Sequence, residues 1–455
     1  MKLPSAIPAN LAVLMLTAFM DMVGVLMLLP LLPFYAKDLG ASGFVMAWLG
    51  SSFLIAQLIS APLWGRVSDR YGRKPALIVG LTASAVAYVV FAYADSLWLL
   101  FVSRIIQGAG GGTVGVIQAY VSDVVEPKNR AKGLGWLSAA TNVGVMIGPL
   151  LGSAASTWGR PAPGLIAAGL CLLNIAFATR FLGESHDAAM KAKARRERWA
   201  TVKAVWRIAP IWPVTLVTRL TLGAQGAAAL THPRPDFAKR FIWVYAIAIG
   251  AFYGLTLSGV MPFFLMERHG ITEKTIGPFF AYIGVLNVVF RIGLLGKVID
   301  RVGEARATRL GIISLALGFL LMPFTTSIAT LAIATGLLPL GATLLFPCVT
   351  AMLSQVIGDH ERGLYMGLQQ TVGNITRVLY ALFAGKAWDL GHARLGQAGS
   401  YIPFFASAAL VAATAFLAVK VPEDKGAGEA LRVLEKPRRT KGAGKALRGA
   451  GSALA

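Results

Sequence analysis

About twelve long apolar runs dominate the sequence, and each is long enough to cross a bilayer as a helix, for which ~20 residues suffice. The chain of 455 residues is 56% hydrophobic and only 14% charged, unlike a soluble protein of this size. Cutting the runs at charges and at Gly or Pro breaks gives predicted spans 1 to 12 at residues 8–34, 43–65, 75–94, 97–121, 132–157, 163–182, 239–266, 275–296, 307–325, 328–352, 362–386 and 400–420. Because a backbone in hydrocarbon must satisfy its own hydrogen bonds, and because the runs lack the alternation of a β-barrel, we predict an all-α integral membrane protein of about twelve transmembrane helices.

Positive charge concentrates in the even-numbered loops between these spans. The formal net charge is +22, and the main contributors are Arg66, Arg70, Arg73 and Lys74 in loop 2, Lys128, Arg130 and Lys132 in loop 4, and Arg301, Arg306 and Arg309 in loop 8. The positive-inside rule therefore predicts that the even loops and both termini are cytoplasmic, in a plasma (inner) membrane. Topology and attraction to anionic lipid headgroups explain the surplus charge, so we expect the lipid bilayer as a partner and no nucleic acid.

The N-terminal run has some features of a signal peptide, because Lys2 precedes an apolar stretch. No small-residue cleavage site ends a short apolar core, and the run continues through Pro33, so we interpret it as a retained first span. The cysteines Cys171 and Cys348 lie in predicted spans of opposite halves. This placement predicts neither a disulfide nor a Cys-based metal site.

A charged turn in loop 2 recurs later in the chain. It comprises residues 65–75, and a weaker copy at residues 296–306 keeps the same intervals between its glycines and its Asp-Arg pair. The corresponding residues are Gly65, Asp69, Arg70 and Gly72 in the first copy and Gly296, Asp300, Arg301 and Gly303 in the second. We interpret the repeat as the duplication of a half-protein.

The duplication sets the predicted domains. We expect six-helix bundles at residues 1–182 and 239–420, a long cytoplasmic linker at 183–238 and a basic disordered cytoplasmic tail at 421–455. The linker contains an apolar segment at 205–230 that is long enough to be one more span. Pro30 matches Pro262 in almost the same register as the two turns, which pairs span 1 with span 7 and not with this segment. We therefore interpret 205–230 as an amphipathic segment at the membrane surface.

Asp21 and Arg104 are ionisable residues inside predicted spans of the first half, where charge is expensive. Asp21 is roughly halfway along span 1 and Arg104 lies in span 4; a charge at the bilayer centre costs ~2.5–3.5 kcal/mol on insertion scales. The simplest electrostatic hypothesis is that the two side chains interact, with a direct contact as one form of it. The alternative is a purely structural acid that stays locked to an arginine.

Further polar side chains share helical faces inside the spans and are candidates to line a central cavity. They are Gln57, Gln107, Gln118, Asn142, Tyr253, Asn287, Gln370, Asn374 and Arg377, with Arg291 shortly after Asn287 on the same helix. Tyr253 takes the place of Asp21 in the second half, so the duplicate lacks the buried acid. Ordinary packing between helices is the alternative role for each of them.

Span 5 carries small residues at helical spacing. They are Gly135, Gly144, Gly148, Pro149 and Gly152. Small side chains let helix backbones approach closely, and a proline interrupts the helical hydrogen bonds. The pattern predicts a tight packing seam on a kinked helix.

On these motifs the chain resembles the major facilitator superfamily, particularly the twelve-helix drug/proton antiporter branch that includes tetracycline exporters. The family's loop signature is matched at Gly65, Asp69, Arg70, Gly72, Arg73, Lys74 and Pro75, and its fourth-helix motif at Arg104, Gln107, Gly108 and residues 110–112. Its fifth-helix antiporter motif is matched by the small residues of span 5, except that Ser153 stands where a second Gly is usual. The resemblance covers about residues 8 to 420.

The resemblance implies alternating access, in which the two bundles rock around a site at the membrane midplane. It also implies that the loop signature holds the inner side closed. Asp69 then faces the N-terminus of span 11, where the helix dipole favours negative charge, and Arg73 pairs with Asp123. In the second copy Glu304 replaces the basic residue, which argues against an equivalent latch there. The alternative is that these loop charges only mark topology.

The resemblance further implies that an intramembrane acid carries a coupling proton, and Asp21 with Arg104 nearby is the candidate. We expect a monomeric, non-enzymatic antiporter that exports small amphipathic molecules, cationic or zwitterionic, in exchange for protons, with no metal and no cofactor other than the coupling proton. The alternatives are an uptake symporter or facilitator for a small metabolite, and a transport-dead receptor. No span carries paired His, a His/Glu cluster or a Ser with a plausible base, which disfavours an enzyme.

Overall fold

The computed structural model describes residues 9–126, 129–184, 236–256, 260–357 and 362–419, and all regular secondary structure in these ranges is helical. The predicted surface segment at 205–230 and the predicted tail at 421–455 lie outside the described residues. So does most of the predicted linker at 183–238.

Fifteen α-helices make up the described part of the chain. The first half contains α1 (Ala9–Leu28), α2 (Leu32–Asp38), α3 (Gly43–Tyr71), α4 (Arg73–Ala92), α5 (Leu97–Gly110), α6 (Thr113–Val124), α7 (Arg130–Ser156) and α8 (Ala162–Phe181). The second half contains α9 (Asp236–Thr256), α10 (Met261–His269), α11 (Ile276–Gly293), α12 (Leu295–Leu321), α13 (Ile328–Val356), α14 (Arg362–Leu395) and α15 (Ile402–Val419).

Ten helical segments of the described residues are long and apolar enough to cross a membrane. A bent pair, Arg240–Thr256 and Met261–His269, meets at 45° and gives eleven if it counts as one span. The longest segment, Tyr365–Phe416, runs from α14 into α15. The prediction of an all-α, multi-pass membrane protein is therefore confirmed for the described residues.

Predicted spans 1, 4 and 7 are each broken into two helices. In span 4 the break after α5 removes helical partners from carbonyl groups that lie at membrane depth. Side chains of α3 donate to carbonyl groups at the break: Gln57 Nε2 donates to the Gly111 carbonyl at 3.1 Å, and the Ser60 hydroxyl joins the Gly111 N–H as a donor to the Gly108 carbonyl, each at 3.0 Å. The break is thus satisfied by hydrogen bonds, and it places the N-terminus of α6 inside the first half.

The two copies of the charged turn share a backbone conformation. Gly72 has φ 114° and ψ 160°, and Gly303 has φ 79° and ψ 164°. Residues with a Cβ rarely adopt positive φ, which explains the glycine in both copies. The shared turn supports the interpretation of the motif as an internal duplication.

Glycines of α7 allow a close approach to α1. A Cβ added to Gly148 would lie 2.9 Å from the Val23 carbonyl oxygen, and one added to Gly144 would lie 2.8 Å from the Phe19 carbonyl oxygen. A Cβ on Gly135, nearer the start of the helix, would meet nothing within 4 Å. The later glycines of the predicted motif therefore form the seam, and Gly135 does not take part in it.

The odd-numbered loops meet at one end of the helices, which we call the odd-loop end; the opposite end is the even-loop end. Arg160 in loop 5 lies 3.7 Å from the Asp38 carboxylate next to loop 1, and Arg268 Nε donates to the Thr325 carbonyl in loop 9 at 3.1 Å. The two halves pack through α3 against α14 and α7 against α11. Between residues that the structure describes, the hydrogen bonds and ion pairs joining the halves lie at the odd-loop end.

Candidate functional site

Asp21 is buried in α1 beside the start of α6. It is 5% exposed and is the only acidic residue that the described helices bury. The hydroxyl of Thr113, the first residue of α6, donates to Oδ2 of Asp21 at 2.9 Å. A helix N-terminus carries a partial positive charge, so the break in span 4 places a favourable field next to this carboxyl group.

Arg104 is buried in α5 with few polar partners. It is 1% exposed, and its guanidinium lies 5.2 Å from the centre of the Phe91 ring. Its Nε reaches the Ser103 hydroxyl only at 3.5 Å, and its Nη2 has no hydrogen-bond partner. Asp21 and Arg104 form no ion pair in this structure, so a direct contact between them is not a property of this state.

Tyr88 of α4 is the neighbour that the two charged groups share. It lies within electrostatic reach of both Asp21 and Arg104. A Cβ added to Gly24, one turn after Asp21, would be 3.2 Å from the Tyr88 hydroxyl, and that hydroxyl accepts a hydrogen bond from Gln107 Nε2 at 3.0 Å. The first half therefore buries a polar cluster of acid, tyrosine and arginine.

Arg73 is the centre of the loop-2 motif at the even-loop end. It is 8% exposed, and its Nε donates to Oδ2 of Asp123 at 2.9 Å. Its Nη1 donates to Oδ1 of Asp69 at 2.7 Å and to the Ser68 hydroxyl at 2.8 Å. The pair with Asp123 has the geometry that the family resemblance implies. Asp69 bonds within its own half here, and its side chain is 48% exposed.

Glu184, just after α8, stabilises the same turn through hydrogen bonds. It accepts hydrogen bonds from the backbone N–H of Arg73 at 2.9 Å and of Lys74 at 3.3 Å, which are the first two residues of α4. Gly72 is needed here as well, because a Cβ at that position would collide with the Glu184 carboxylate. No sequence motif singled out Glu184.

The second copy of the motif does not rebuild this cluster. Glu304 occupies the position that corresponds to Arg73, and it accepts a hydrogen bond from Gln355 Nε2 at 3.1 Å. Asp300 and Arg301 are exposed on α12. The replacement of the central arginine by a carboxylate explains the difference.

At the odd-loop end, a carboxylate of one half caps a helix of the other. Asp389 of α14 accepts hydrogen bonds from the backbone N–H of Gly43 at 2.8 Å and of Phe44 at 3.0 Å. These are the first two N–H groups of α3, and Ser42 accepts the next two. The first four N–H groups of α3 are thus all hydrogen-bonded, two of them across the boundary between the halves.

A second contact between the halves involves Ser153. Its hydroxyl accepts a hydrogen bond from the Gly277 N–H at the start of α11 and donates to the Glu273 carbonyl, both at 2.7 Å. An ion pair between Lys37 and Glu267, 3.8 Å apart, lies at the same end. Ser153 is the residue that departs from the family's fifth-helix motif, and its hydroxyl makes bonds that a glycine could not make.

Each half contains a cavity along its helices. One of about 510 Å³ is lined by α1, α6 and α7 and includes Gln118. One of about 460 Å³ in the second half is lined by Tyr245, Arg291, Phe346, Pro347, Thr350, Ala351 and Met366. Gln118 and Arg291 are therefore the residues from the sequence-based cavity set that line these spaces.

The other predicted cavity residues have varied surroundings. Gln57 and Gln107 make the contacts inside the first half described above, and Asn142 is half-buried on α7. In the second half Asn287 Nδ2 donates to the Ile283 carbonyl at 3.1 Å. Gln370 is exposed on α14, while Asn374 and Tyr253 both contact Arg377.

Sequence reasoning missed residues that act through neighbours in space. Thr113, Tyr88, Ser153, Glu184 and Asp389 belong to this group. Ser153 alone had a sequence signal, as a departure from the motif. Asp389 comes just after the end of predicted span 11, so it looked like an ordinary loop charge.

The fold and the site define a class of protein, namely a helical membrane protein built from duplicated halves that are closed against each other at one end and carry buried charges within their spans. Comparison with known families agrees. The chain belongs to the Major Facilitator Superfamily, whose model matches residues 14–381 and 244–453. It is a transporter of that family.

Known relatives are similar over most of their length. The tetracycline resistance protein, class C, of Escherichia coli is 27% identical over 405 residues, covering 84% of this chain and 93% of that protein. Multidrug resistance protein 2 of Bacillus subtilis (strain 168) is 25% identical over 379 residues, covering 83% and 88%.

Solved structures share the fold at lower identity. The human organic anion transporter MFSD10 (TETRAN) matches with a TM-score of 0.62 at 22% identity, covering 91% of this chain and 100% of that one. The nucleoside transporter NupG matches with a TM-score of 0.70 at 15% identity, covering 91% and 100%. These likenesses show the fold alone.

Proposed function

We propose that this protein is a proton-coupled secondary transporter that exports small amphipathic molecules across the plasma (inner) membrane by alternating access. The proposal arranges the candidate spans as twelve transmembrane helices in two bundles, residues 1–182 and 239–420, with both termini in the cytoplasm. The positive-inside pattern supports this orientation. The even-loop end then faces the cytoplasm and the odd-loop end faces outward.

The contact between the halves at the odd-loop end carries the proposal. Asp389 caps α3 across the boundary, and Ser153 does the same for α11. At the even-loop end Asp69 bonds to Arg73 of its own half, although the family resemblance assigns it to the start of span 11. A transporter that is closed outward and open inward needs this combination, because alternating access engages one gate at a time.

Asp21 is the proposed proton carrier. Its carboxyl accepts one hydrogen bond from Thr113, while Nη2 of buried Arg104 is without a partner. A shift of α1 toward α5 would let the ionised carboxylate accept a charge-assisted hydrogen bond from that guanidinium. The same bond would stabilise a protonated, neutral carboxyl group less. Proton binding and helix movement would then be linked, and this is the coupling that antiport requires.

Export is the favoured direction because the two relatives reported above are named for resistance to drugs and because span 5 carries the antiporter motif. An uptake symporter or a facilitator for a small metabolite is the alternative with the same fold. The names of the related proteins do not determine the charge of the cargo. Proteins named for tetracycline resistance and for organic anion transport share this fold.

The decisive experiment is transport in proteoliposomes under an imposed pH gradient. Tetracycline and a set of fluorescent dyes would be followed with wild-type protein, with Asp21→Asn, and with Asp95→Asn as a control that removes an exposed acid from loop 3. We expect gradient-driven flux for the wild type and the control, and none for Asp21→Asn. A response to the gradient that survives in Asp21→Asn removes Asp21 from the proposal, and uptake toward the cytoplasmic face would favour the symporter.

A further inference from the structure

The second half holds a partly buried arginine with unused hydrogen-bonding capacity. The guanidinium of Arg377 on α14 lies 4.5 Å from the centre of the Tyr253 ring, and its Nη1 donates to Oδ1 of Asn374 at 3.2 Å. Its Nε is buried without a hydrogen-bond partner. An arginine carries five N–H donors in a fixed fork, so one described bond leaves most of that capacity open.

The ring that contacts this arginine belongs to an aromatic cluster. Phe346 of α13 lies between two tyrosines of α9, with ring centres 5.5 Å from Tyr245 and 6.4 Å from Tyr253. The planes of Phe346 and Tyr253 are inclined by only 23°, so the two rings are stacked. Tyr245 and Phe346 also line the cavity of about 460 Å³, together with Arg291. The guanidinium of Arg291 and the rings of Tyr245 and Phe346 therefore adjoin one space, and Tyr253 links Arg377 to the Phe346 ring.

The charge around this space is positive. Its described lining includes Arg291 and no carboxylate. The two halves differ here in charge. In the register of the internal repeat, Tyr253 corresponds to Asp21 of the first half, and Arg377 corresponds to Val145. The second half has thus exchanged an acid for a phenol and an apolar residue for a base.

A structural role alone accounts poorly for Arg377. A charged group in a membrane span is expensive and is normally paired with an acid or with several acceptors. Among the described residues, the structure gives it Asn374 and the face of the Tyr253 ring, and neither carries a full negative charge. Arg377 contacts the Tyr253 ring, Tyr253 stacks on Phe346, and Phe346 lines the cavity, so two aromatic rings link the guanidinium to this space. A guanidinium fork with open donors matches the geometry of planar anions such as carboxylates.

We infer that the cargo is an organic anion with an aromatic body, and that the second half binds it. Arg377 takes the carboxylate or sulfonate through its fork, Arg291 adds attraction at the cavity wall, and the rings of Tyr253 and Phe346 pack against the aromatic body. The inference rests on the proposed transport function and names the substrate class of that site. It replaces the sequence-based expectation of a cationic or zwitterionic cargo.

Three xanthene dyes with one ring skeleton test the charge preference. Fluorescein is an anion, an amino-xanthene carboxylic acid of the rhodamine type is a zwitterion, and the methyl ester of that acid is a cation that lacks only the free carboxylate. Dissociation constants would be measured by fluorescence anisotropy on purified wild-type protein in nanodiscs. We expect fluorescein to bind most tightly and the ester about tenfold more weakly than its parent acid, because a hydrogen-bonded charge pair is lost.

Variants of α14 assign the preference to one residue. Arg377→Gln should weaken fluorescein binding about tenfold and leave the ester nearly unchanged, while Arg377→Lys, which keeps the charge but not the fork, should fall between. Arg394→Gln removes an exposed arginine from the odd-loop end of the same helix and should match the wild type. Thermal unfolding of each variant in the same nanodiscs checks that it is folded.

These binding measurements test the anionic substrate class independently of the proposed transport function. Ester binding as tight as acid binding, equal effects of Arg377→Gln on all three dyes, or no binding of fluorescein overturns it, even if the protein moves other drugs along a pH gradient. Binding needs no gradient, so failure of proton coupling leaves these results intact. Counterflow of fluorescein in proteoliposomes then separates cargo from inhibitor, and bound fluorescein that is not moved overturns the assignment as cargo.

Discussion

Replacing Asp389 by asparagine should loosen the odd-loop end. The aspartate accepts two backbone N–H groups at the start of α3, at 2.8 and 3.0 Å, and it sits at the positive end of that helix. Asparagine keeps the size and one oxygen but loses the charge and one acceptor. The state in which this end is closed therefore loses stability relative to the state in which it is open.

The size of the effect follows from the capping geometry. Loss of a helix N-cap costs ~0.5–2 kcal/mol, and an anion at a helix N-terminus contributes a further ~0.3–1 kcal/mol when it is near the surface. Asp389 is half-buried, so water in the open state recovers part of both terms. We expect a net change of about 1–2 kcal/mol, which is a shift of roughly 5- to 30-fold in the ratio of open to closed molecules.

A reporter cysteine measures this ratio. Ala47 is fully buried where α3 meets Gly385 of α14, so Ala47→Cys should react with a membrane-impermeant maleimide only when the odd-loop end opens. Cys171 and Cys348 are buried and would be replaced in the background. Asp389→Asn should raise the labelling rate by the factor above, and Asp95→Asn should not. An unchanged rate in Asp389→Asn would refute the assignment of this cap as a gate.

Two further changes test the packing and the motif. Gly148→Ala should lower the melting temperature, because its Cβ would lie 2.9 Å from the Val23 carbonyl oxygen and overpacking costs ~1–3 kcal/mol. Gly135→Ala is the matched control: nothing lies within 4 Å of its new Cβ, so the melting temperature should stay the same or rise. Glu184→Gln should weaken the cap of α4 by ~1 kcal/mol and speed hydrogen exchange at the amides of Arg73 and Lys74, and unaltered exchange there would show that the carboxylate charge does not hold the turn.

The spans and the duplication could be read from the sequence because hydrophobic length and local motifs determine them. About twenty apolar residues demand a membrane helix wherever they occur, and the positive φ of the turn at Gly72 is a local property of that glycine. The pair between Arg73 and Asp123 was also accessible, because the family motif contains the arginine. These features need no knowledge of which helices are neighbours.

The cluster around Asp21 could not be read in this way. A sequence shows that Asp21 and Arg104 are both costly in a membrane, but their relation depends on how α1, α4 and α5 pack. Tyr88 of α4 packs beside Gly24, one turn from Asp21. Thr113 reaches Asp21 only because span 4 breaks between α5 and α6. The sequence predicted that Asp21 and Arg104 are costly charges inside the membrane. It did not predict which side chains contact them.

The partner of Asp389 also depends on how the helices pack, which is why the sequence did not predict its role. Asp389 and Asp69 occupy comparable positions on their helices. Asp69 lies in the last turn of α3, and Asp389 lies shortly before the end of α14. At a rise of ~1.5 Å per residue, each acid is about 40 Å from the start of its own helix. The two helices run antiparallel, so each acid is placed near the start of the other helix. Asp389 makes its cap in this structure, whereas Asp69 bonds to Arg73.

If Asp69 caps α14 in the opposite state, Asp69→Asn must act in the opposite direction to Asp389→Asn. It destabilises the state that is closed at the even-loop end, so labelling of Ala47→Cys should slow by a comparable factor of roughly 5 or more. The double variant should return toward the wild-type rate, because distant sites without shared partners contribute additively. If both single variants speed labelling, the two acids are not opposed caps of one rocking pair, and Asp69 serves only to hold Arg73 in its turn.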